Sequence, residues 1–180
     1  MIKIRPLERE DIEKIRNWRN ANLDKFFDAS YISKEQQRKW YEKYSDSGGT
    51  DLMFIIQADG EDIGTIALYN INPGDRTATL GRVLILEDYR GHGYAEEAVG
   101  LILDLAFKKM RLFKVKVEAH LDNIDAIAVY ARNGFKTTTR PIILMEATNP
   151  DTDWKKPIKL SSYDDLSRSY ESQHTNIKRK

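Results

Sequence analysis

Cysteine is absent from this 180-residue sequence, and histidine occurs only three times, as His92, His120 and His174. The absence of cysteine excludes disulfide bonds, thiolate metal sites and a cysteine nucleophile. With so few histidines, we also expect no zinc site and no other metal centre.

The sequence also lacks a long apolar run and an excess of charge of either sign. No stretch approaches the roughly 20 apolar residues that cross a bilayer, and residues 1–5 do not begin a secretion signal. The 29 basic and 28 acidic residues leave a net charge of +1, which gives no electrostatic basis for binding nucleic acid or a membrane surface. We therefore expect a cytoplasmic protein that handles small molecules, with no nucleic-acid and no membrane partner.

Length and composition predict one domain followed by a polar tail. A chain of this length holds one full hydrophobic core and is short for two. After Asn149-Pro150 the sequence becomes polar and loses its periodicity. We expect residues 1–149 to form the domain and residues 150–180 to form a loosely packed extension.

The first half of the sequence predicts one strand, two helices and then three strands. Residues 2–5 alternate as a strand does, and residues 7–20 show helical spacing. A second helix is expected after Ser33, with Gln36 completing a capping box, and it should end near Tyr44. The next strands are expected over residues 52–56, 63–69 and 77–86, the first two joined by an Asp-Gly hairpin signal.

The second half alternates helices with strands. A helix follows the glycine-containing loop at residues 90–95, and residues 113–119 alternate as a strand. A helix over residues 122–132 precedes a strand from Phe135, and a last strand is expected near residues 142–145. The order βααβββαβαβ predicts an α+β fold, in which a mixed central sheet runs as an antiparallel meander and then βαβα, with helices on both faces.

Residues 90–95 have the features of an anion-binding loop. Gly91 and Gly93 let the backbone turn tightly and bring N–H groups close to an anion. The loop leads into a helix, whose free N–H groups and dipole favour negative charge. Arg90 adds a cation that can bond to a phosphate oxygen.

Other phosphate loops fit this segment less well. The eight-residue P-loop signature is absent, and the dinucleotide fingerprint needs a third glycine within a parallel βαβ unit. From the loop alone, the alternative remains that Gly91 and Gly93 only make a strand-to-helix turn.

Two sequence blocks resemble the GNAT superfamily of N-acetyltransferases. Arg90-x-x-Gly93-x-Ala95 is similar to that family's pyrophosphate loop. The second block reads Asn123-x-x-Ala126-Ile127-x-Val129-Tyr130-x-Arg132-x-Gly134-Phe135. The blocks stand in the family's order, and the resemblance covers about residues 1–145.

The resemblance implies that acetyl-CoA is the acetyl donor. The backbone of residues 83–85 would pair with the pantetheine arm, which requires that strand to part from its parallel neighbour. Residues 90–95 would hold the pyrophosphate, and Asn123 would bind the pantetheine region. The implied cofactor contacts are Val83, Leu84, Ile85, Arg90, Gly91, His92, Gly93, Tyr94, Ala95, Asn123, Ala126 and Tyr130.

The resemblance also implies catalytic residues for acetyl transfer to an amine by direct attack. Tyr130 would protonate the departing thiolate, although an amphipathic tyrosine on a helix face is the structural alternative. A general base must take a proton from the amine, and Glu118 and His120 are the two candidates. Glu118 shares its strand face with two lysines, so a solvated charge ladder is its alternative.

The acceptor is expected to bind near the first two helices. A cation and aromatic rings in this region could together hold a diphosphate and stack on a base or sugar. The residues are Arg19, Trp18, Phe26 and Phe27. The segment around Trp18 is similar to amino-sugar-nucleotide and ribosomal-protein N-terminal acetyltransferases, although Trp18 as a helix-core anchor is the alternative. We expect a small amine such as an amino sugar nucleotide. Two alternatives stay open: the acceptor is a ribosomal-protein N-terminus, or the protein only binds acetyl-CoA and has no catalytic activity. Because members of the family are often dimers, a homodimer is also possible.

Overall fold

The structure, a computed structural model, describes residues 1–138 and 143–148. Its strands are β1 (Ile2–Pro6), β2 (Leu52–Ala58), β3 (Glu61–Asn72), β4 (Thr77–Ile85), β5 (Lys114–Ala119), β6 (Lys136–Thr137) and β7 (Ile143–Thr148). Its α-helices are α1 (Ile12–Asn20), α2 (Lys34–Ser45), α3 (Tyr94–Asp104) and α4 (Ile124–Arg132). The described elements follow the α+β order expected from the sequence.

The strands form one mixed sheet in the order β1-β2-β3-β4-β5-β7-β6. The first four strands are an antiparallel meander, and β4 and β5 are the parallel pair. Parallel strands end at the same edge of a sheet, so the loops that follow β4 and β5 lie on the same side of the molecule.

Each face of the sheet is covered by one helix pair. Alternate residues along β2 divide between two apolar clusters, because successive side chains point to opposite faces. Phe54 lies in the cluster with α3 and α4, whereas Ile55 lies in the cluster with α1 and α2. Trp18 of α1 and Trp40 of α2 pack against the second cluster, which places Trp18 in the helix–sheet packing.

Helix α1 begins later than its spacing predicts. A 3₁₀ turn (Arg9–Asp11) precedes it, stabilised by reciprocal bonds between Glu8 and Asp11. The predicted box at α2 is present, with the Ser33 hydroxyl and the Gln36 side chain each bonded to the other's backbone.

Two expectations from the sequence remain predictions. Strand β1 forms one edge of the sheet, where a homodimer could pair. The expected polar extension lies outside the described residues.

Within residues 1–138 and 143–148, no helix has the length and apolar character needed to cross a membrane.

Candidate active site

Strands β4 and β5 part from each other halfway along their length. Their parallel pairing ends at Leu80 and Val117. Strand β5 continues to pair with β7 through Ala119, while β4 continues beside β3 to Ile85. Over residues 81–85, the side of β4 that faces β5 has no strand partner among the described residues. Such an edge can bind an extended ligand through backbone hydrogen bonds.

A bulge in β4 lies within this open stretch. Ala67 of β3 pairs with Gly81, and Thr65 pairs with Leu84, so two β4 residues oppose one β3 residue. Arg82 occupies the bulge with φ +51°, and its carbonyl accepts a hydrogen bond from the Thr65 hydroxyl at 2.8 Å. A bulge of this kind redirects side chains and ends regular pairing.

The loop at residues 90–95 has the conformation that an anion site needs. Gly91 and Gly93 both have φ +80°, a region that glycine adopts without strain. Gly93 is the N-cap of α3, so the free N–H groups of that helix face the loop. The Arg90 guanidinium donates to the carbonyl of Ile85 at 2.9 Å and to Asn22 Oδ1 at 2.7 Å.

His92 and Tyr94 form a small aromatic pair on the same loop. Their ring centroids lie 5.5 Å apart in a stacked arrangement, and His92 is exposed. Tyr94 is the first residue of α3, followed by Ala95, and both pack against the core cluster.

Asn123 begins α4 at the end of the loop that follows β5. Its side-chain oxygen accepts a hydrogen bond from the backbone N–H of Ala126 at 3.2 Å, as an N-cap does. Because β4 and β5 are parallel, this cap and the 90–95 loop stand at the same sheet edge, on either side of the gap.

Tyr130 of α4 is 6% exposed and packs edge-to-face on Phe135 at 5.8 Å. Its hydroxyl makes no hydrogen bond within residues 1–138 and 143–148. Burial raises the pKa of the Tyr130 phenol to about 12, and the neighbouring Tyr69 adds to the rise. The phenol therefore keeps its proton at neutral pH and is available as a donor.

Glu118 and His120 are both exposed beside the gap. Glu118 lies on the sheet face opposite the buried Val117, and its charge acts on the phenol of Tyr69. His120 follows β5, and its ring lies 4.0 Å from the ring of Phe27. The role of either residue as a general base stays a prediction.

The loop between α1 and α2 spans the open end of the gap. It contacts the 90–95 loop through Asn22 and Arg90, and it contacts the end of β5 through Phe27 and His120. Its side chains therefore stand close to both halves of the site.

Arg19 shapes this loop from within. Its guanidinium donates to the carbonyls of Asp28 and Ser30, the latter at 3.0 Å, and lies 4.8 Å above the ring of Phe26. These contacts favour a loop-holding role for Arg19, and the diphosphate role proposed for it from the sequence stays a prediction.

Sequence reasoning missed an aromatic and ionic cluster on the α1–α2 face. Arg82 donates to both carboxylate oxygens of Asp51, at 2.6 and 2.8 Å, and its guanidinium lies over Tyr69 and Trp40 at 4.7 and 5.6 Å. The glycines within β3 and β4 were the available signal, because glycine inside a strand often marks a bulge or a close approach. At Gly64, a Cβ would lie 2.0 Å from the carbonyl oxygen of Leu84.

A family model described as "Acetyltransferase (GNAT) domain" matches residues 2–136 of the chain. The chain belongs to this acetyltransferase family. It is an N-acetyltransferase, and acetyl-CoA is its acetyl donor.

Relatives of this acetyltransferase are named for more than one kind of acceptor. Spermidine N(1)-acetyltransferase of Escherichia coli (strain K12) is 30% identical over 136 residues, which cover 74% of this chain and 72% of that protein. A putative ribosomal N-acetyltransferase of Bacillus subtilis (strain 168) is 28% identical over 144 residues, covering 74% of this chain and 77% of that protein.

A solved structure shares the fold of this acetyltransferase. The crystal structure of spermidine N-acetyltransferase from Vibrio cholerae in complex with CoA and spermine gives a TM-score of 0.76 at 23% identity. The likeness covers 82% of this chain and 95% of that one.

Proposed function

We propose that this acetyltransferase acetylates a primary amine of a small polyamine. The observation that carries the proposal is its 30% identity with a spermidine N(1)-acetyltransferase over 74% of the chain. The exposed carboxylate of Glu118 beside the gap supports it, because a cationic acceptor is attracted by a nearby negative charge.

The residues around the gap divide the binding of the two substrates. Backbone groups of residues 83–85 hold the pantetheine arm, and residues 90–95 with the first turn of α3 hold the pyrophosphate. Acetyl-CoA supplies the acetyl group as a thioester when it is bound. Asn123 and Ala126 border the same end of the site from α4.

Proton transfer is shared between Glu118 and Tyr130. The acceptor ammonium loses one proton before attack and a second as the C–N bond forms and the C–S bond breaks. Glu118, with His120 as the alternative, removes protons on the amine side, and Tyr130 donates one on the thiol side. The two protons removed from the amine pass to solvent, and solvent returns one proton to Tyr130. The net result is one proton on the thiol product and one proton released.

The high pKa of Tyr130 limits how it acts. A thiol ordinarily titrates near 8.5, so complete transfer from a phenol with a pKa of about 12 runs uphill. A hydrogen bond from the phenol still stabilises the charge that develops on sulfur, most effectively in a buried site. Burial of the thiolate reduces the difference between the two pKa values, because burial also raises the pKa of a thiol.

A thiol-release assay with acetyl-CoA tests the acceptor. The panel contains spermidine, spermine, amino sugar nucleotides, amino acids and ribosomal N-terminal peptides. We expect the highest kcat/KM with a polyamine, and we expect Glu118→Gln to lower it while leaving the KM for acetyl-CoA unchanged. Turnover confined to peptides would contradict the polyamine assignment, and acetyl-CoA binding with no turnover would indicate a module that only binds the donor.

An amino sugar nucleotide is the second candidate. Phe27 and Tyr31 of the α1–α2 loop are 55% and 65% exposed, and exposed aromatic rings can stack on a sugar or a base. Turnover of these compounds in the same panel, with polyamines inactive, would select this candidate.

A further inference from the structure

Tyr69 of β3 reaches the place where β4 and β5 part. A Cβ built at Gly81 would lie 2.9 Å from Cε1 of Tyr69 and 3.0 Å from its phenol oxygen. The ring therefore lies directly over Gly81, which follows the last β4–β5 pair at Leu80 and precedes the bulge at Arg82. Only a residue without a side chain leaves room for the phenol at this position.

Arg82 also contacts the ring of Tyr69. The guanidinium lies 4.7 Å from the ring centroid, within the range of a cation–π contact. Asp51 fixes that guanidinium through two hydrogen bonds, a geometry that restricts its rotation. Gly81 and Arg82 thus bound the ring of Tyr69, and Asp51 acts on it through Arg82.

The phenol oxygen of Tyr69 makes no hydrogen bond within the described part of the chain. Burial raises the pKa of Tyr69, the charge of Glu118 adds to the rise, and Arg82 opposes it. Tyr69 in turn acts on the phenol of Tyr130, which belongs to the opposite face. Partly buried polar groups are normally paired, so this oxygen is suited to binding a polar group of a ligand.

We propose that Tyr69 is an acceptor-contact residue, whose phenol oxygen accepts a hydrogen bond from the incoming amine, and that Arg82 positions it. This inference rests on the proposed function, since it requires an amine that enters from the α1–α2 face. A neutral phenol orients the nitrogen of either an amine or an ammonium and leaves proton removal to Glu118 or His120.

Tyr69→Phe removes only the hydroxyl and tests the contact directly. With the best amine from the acceptor panel, we expect kcat/KM for the amine to fall about tenfold. A loss of this size corresponds to the removal of one well-formed hydrogen bond. The KM for acetyl-CoA should stay within twofold of wild type. Tyr41→Phe is the matched control, because Tyr41 belongs to the same aromatic cluster on α2, and it should change neither parameter more than twofold.

Arg82→Lys tests the positioning role, because lysine keeps the charge and loses the two-pronged contact with Asp51. We expect a severalfold rise in the KM for the amine with kcat less affected. In the Tyr69→Phe background the same substitution should add little, because both changes act through one hydroxyl.

The outcomes separate the two proposals. An active enzyme whose Tyr69→Phe variant stays within twofold of wild type overturns the contact. A full Arg82→Lys effect in the Tyr69→Phe background overturns the positioning role. A wild-type enzyme that turns over none of the amines overturns the proposed function, and this inference with it.

Discussion

At the scale of single residues, Tyr130 combines a functional proposal with a cost in stability. Its hydroxyl is buried without a partner among the described residues, and an unpaired buried polar group is destabilising. We expect Tyr130→Phe to lower kcat strongly, to leave the KM for acetyl-CoA nearly unchanged and to raise the free energy of unfolding by about 1 kcal/mol. Steady-state kinetics and urea denaturation measure the three effects.

The opposite kinetic pattern would reassign this residue. If Tyr130→Phe weakens acetyl-CoA binding while kcat is retained, Tyr130 binds the donor and does not protonate the thiolate. A lower free energy of unfolding would show that the hydroxyl has a partner in the folded protein.

Asp11 stabilises the junction of β1 and α1. Its carboxylate accepts hydrogen bonds from Arg5 at 2.6 and 2.8 Å and forms an ion pair with Lys14 at 2.8 Å. Burial alone would raise the pKa of Asp11, but the bonds from Arg5 and Lys14 outweigh it and hold the pKa well below its usual range. A carboxyl with a lowered pKa stabilises the fold above its unfolded pKa near 3.9, and that contribution is lost as the pH falls through the folded value.

We therefore expect Asp11→Asn to lower the free energy of unfolding by about 2–3 kcal/mol at pH 7. The difference from wild type should shrink as the pH falls below about 4. Urea denaturation at pH 7 and pH 3 measures both values. Glu35→Gln is the control, since Glu35 forms only exposed pairs on α2, and its effect should stay below about 0.5 kcal/mol. An equal effect of both substitutions would contradict this account.

The positions of some candidate residues could be predicted from the sequence better than those of others. Tyr130 and the 90–95 loop belong to local patterns, so their positions follow from motif and helix alone. The Arg82–Asp51 pair joins residues 31 positions apart across a bulge, and no local pattern encodes that contact. Glu118 and Tyr69 approach each other only through strand register, which a single sequence does not specify.

At the scale of elements, the turn into α3 depends on left-handed backbone. Gly93 has φ +80°, and a Cβ there would have no atom within 4 Å. A substitution at this position therefore destabilises the fold through backbone strain and not through a steric clash. We expect Gly93→Ala to lower the free energy of unfolding by about 1–2 kcal/mol and to raise the KM for acetyl-CoA severalfold. Gly93→Asn should lose less stability, because asparagine tolerates this conformation.

Gly48→Ala is the matched control for the loop. Gly48 has φ +62° with open space around a Cβ, and it lies in the turn after α2. This substitution should cost similar stability and leave the KM for acetyl-CoA unchanged. If the KM for acetyl-CoA rises equally in both variants, the 90–95 loop has no specific role in pyrophosphate binding.

Element boundaries were predicted less well than element types. The apolar spacing around Leu7 and Ile12 suggested one continuous helix, yet the bonds between Glu8 and Asp11 form a separate 3₁₀ turn first. The capping box at Ser33 was predictable because its two partners are three residues apart.

At the scale of the whole molecule, the last described strand ends at Thr148. We expect a variant ending at residue 149 to fold and to keep kcat and both KM values within about twofold of the full chain, as the predicted domain boundary requires. Thermal unfolding and the thiol-release assay on the two proteins measure this. A variant that fails to fold, or loses turnover, would place residues beyond 149 within the domain.

The overall topology could be predicted because strand and helix periods alternate clearly along the chain. The meander follows from short turns between successive strands, and the parallel pair follows from the intervening helix α3. The parting of β4 from β5 was expected from the family resemblance, and the end of their pairing at Leu80 and Val117 agrees with it. The bulge at Arg82 was not predicted, because it depends on the register of β4 against β3.

Residues 81–85 of β4 leave an edge inside the sheet. If the pantetheine arm pairs there as proposed, acetyl-CoA acts as an additional strand. Amide hydrogens on that side of β4 should then exchange quickly in the free protein and slowly in the complex. Because a ligand that binds only the native state stabilises it by about 2.7 kcal/mol at 100 times its Kd, the lifetime of this enzyme against unfolding and proteolysis would follow the acetyl-CoA concentration around it.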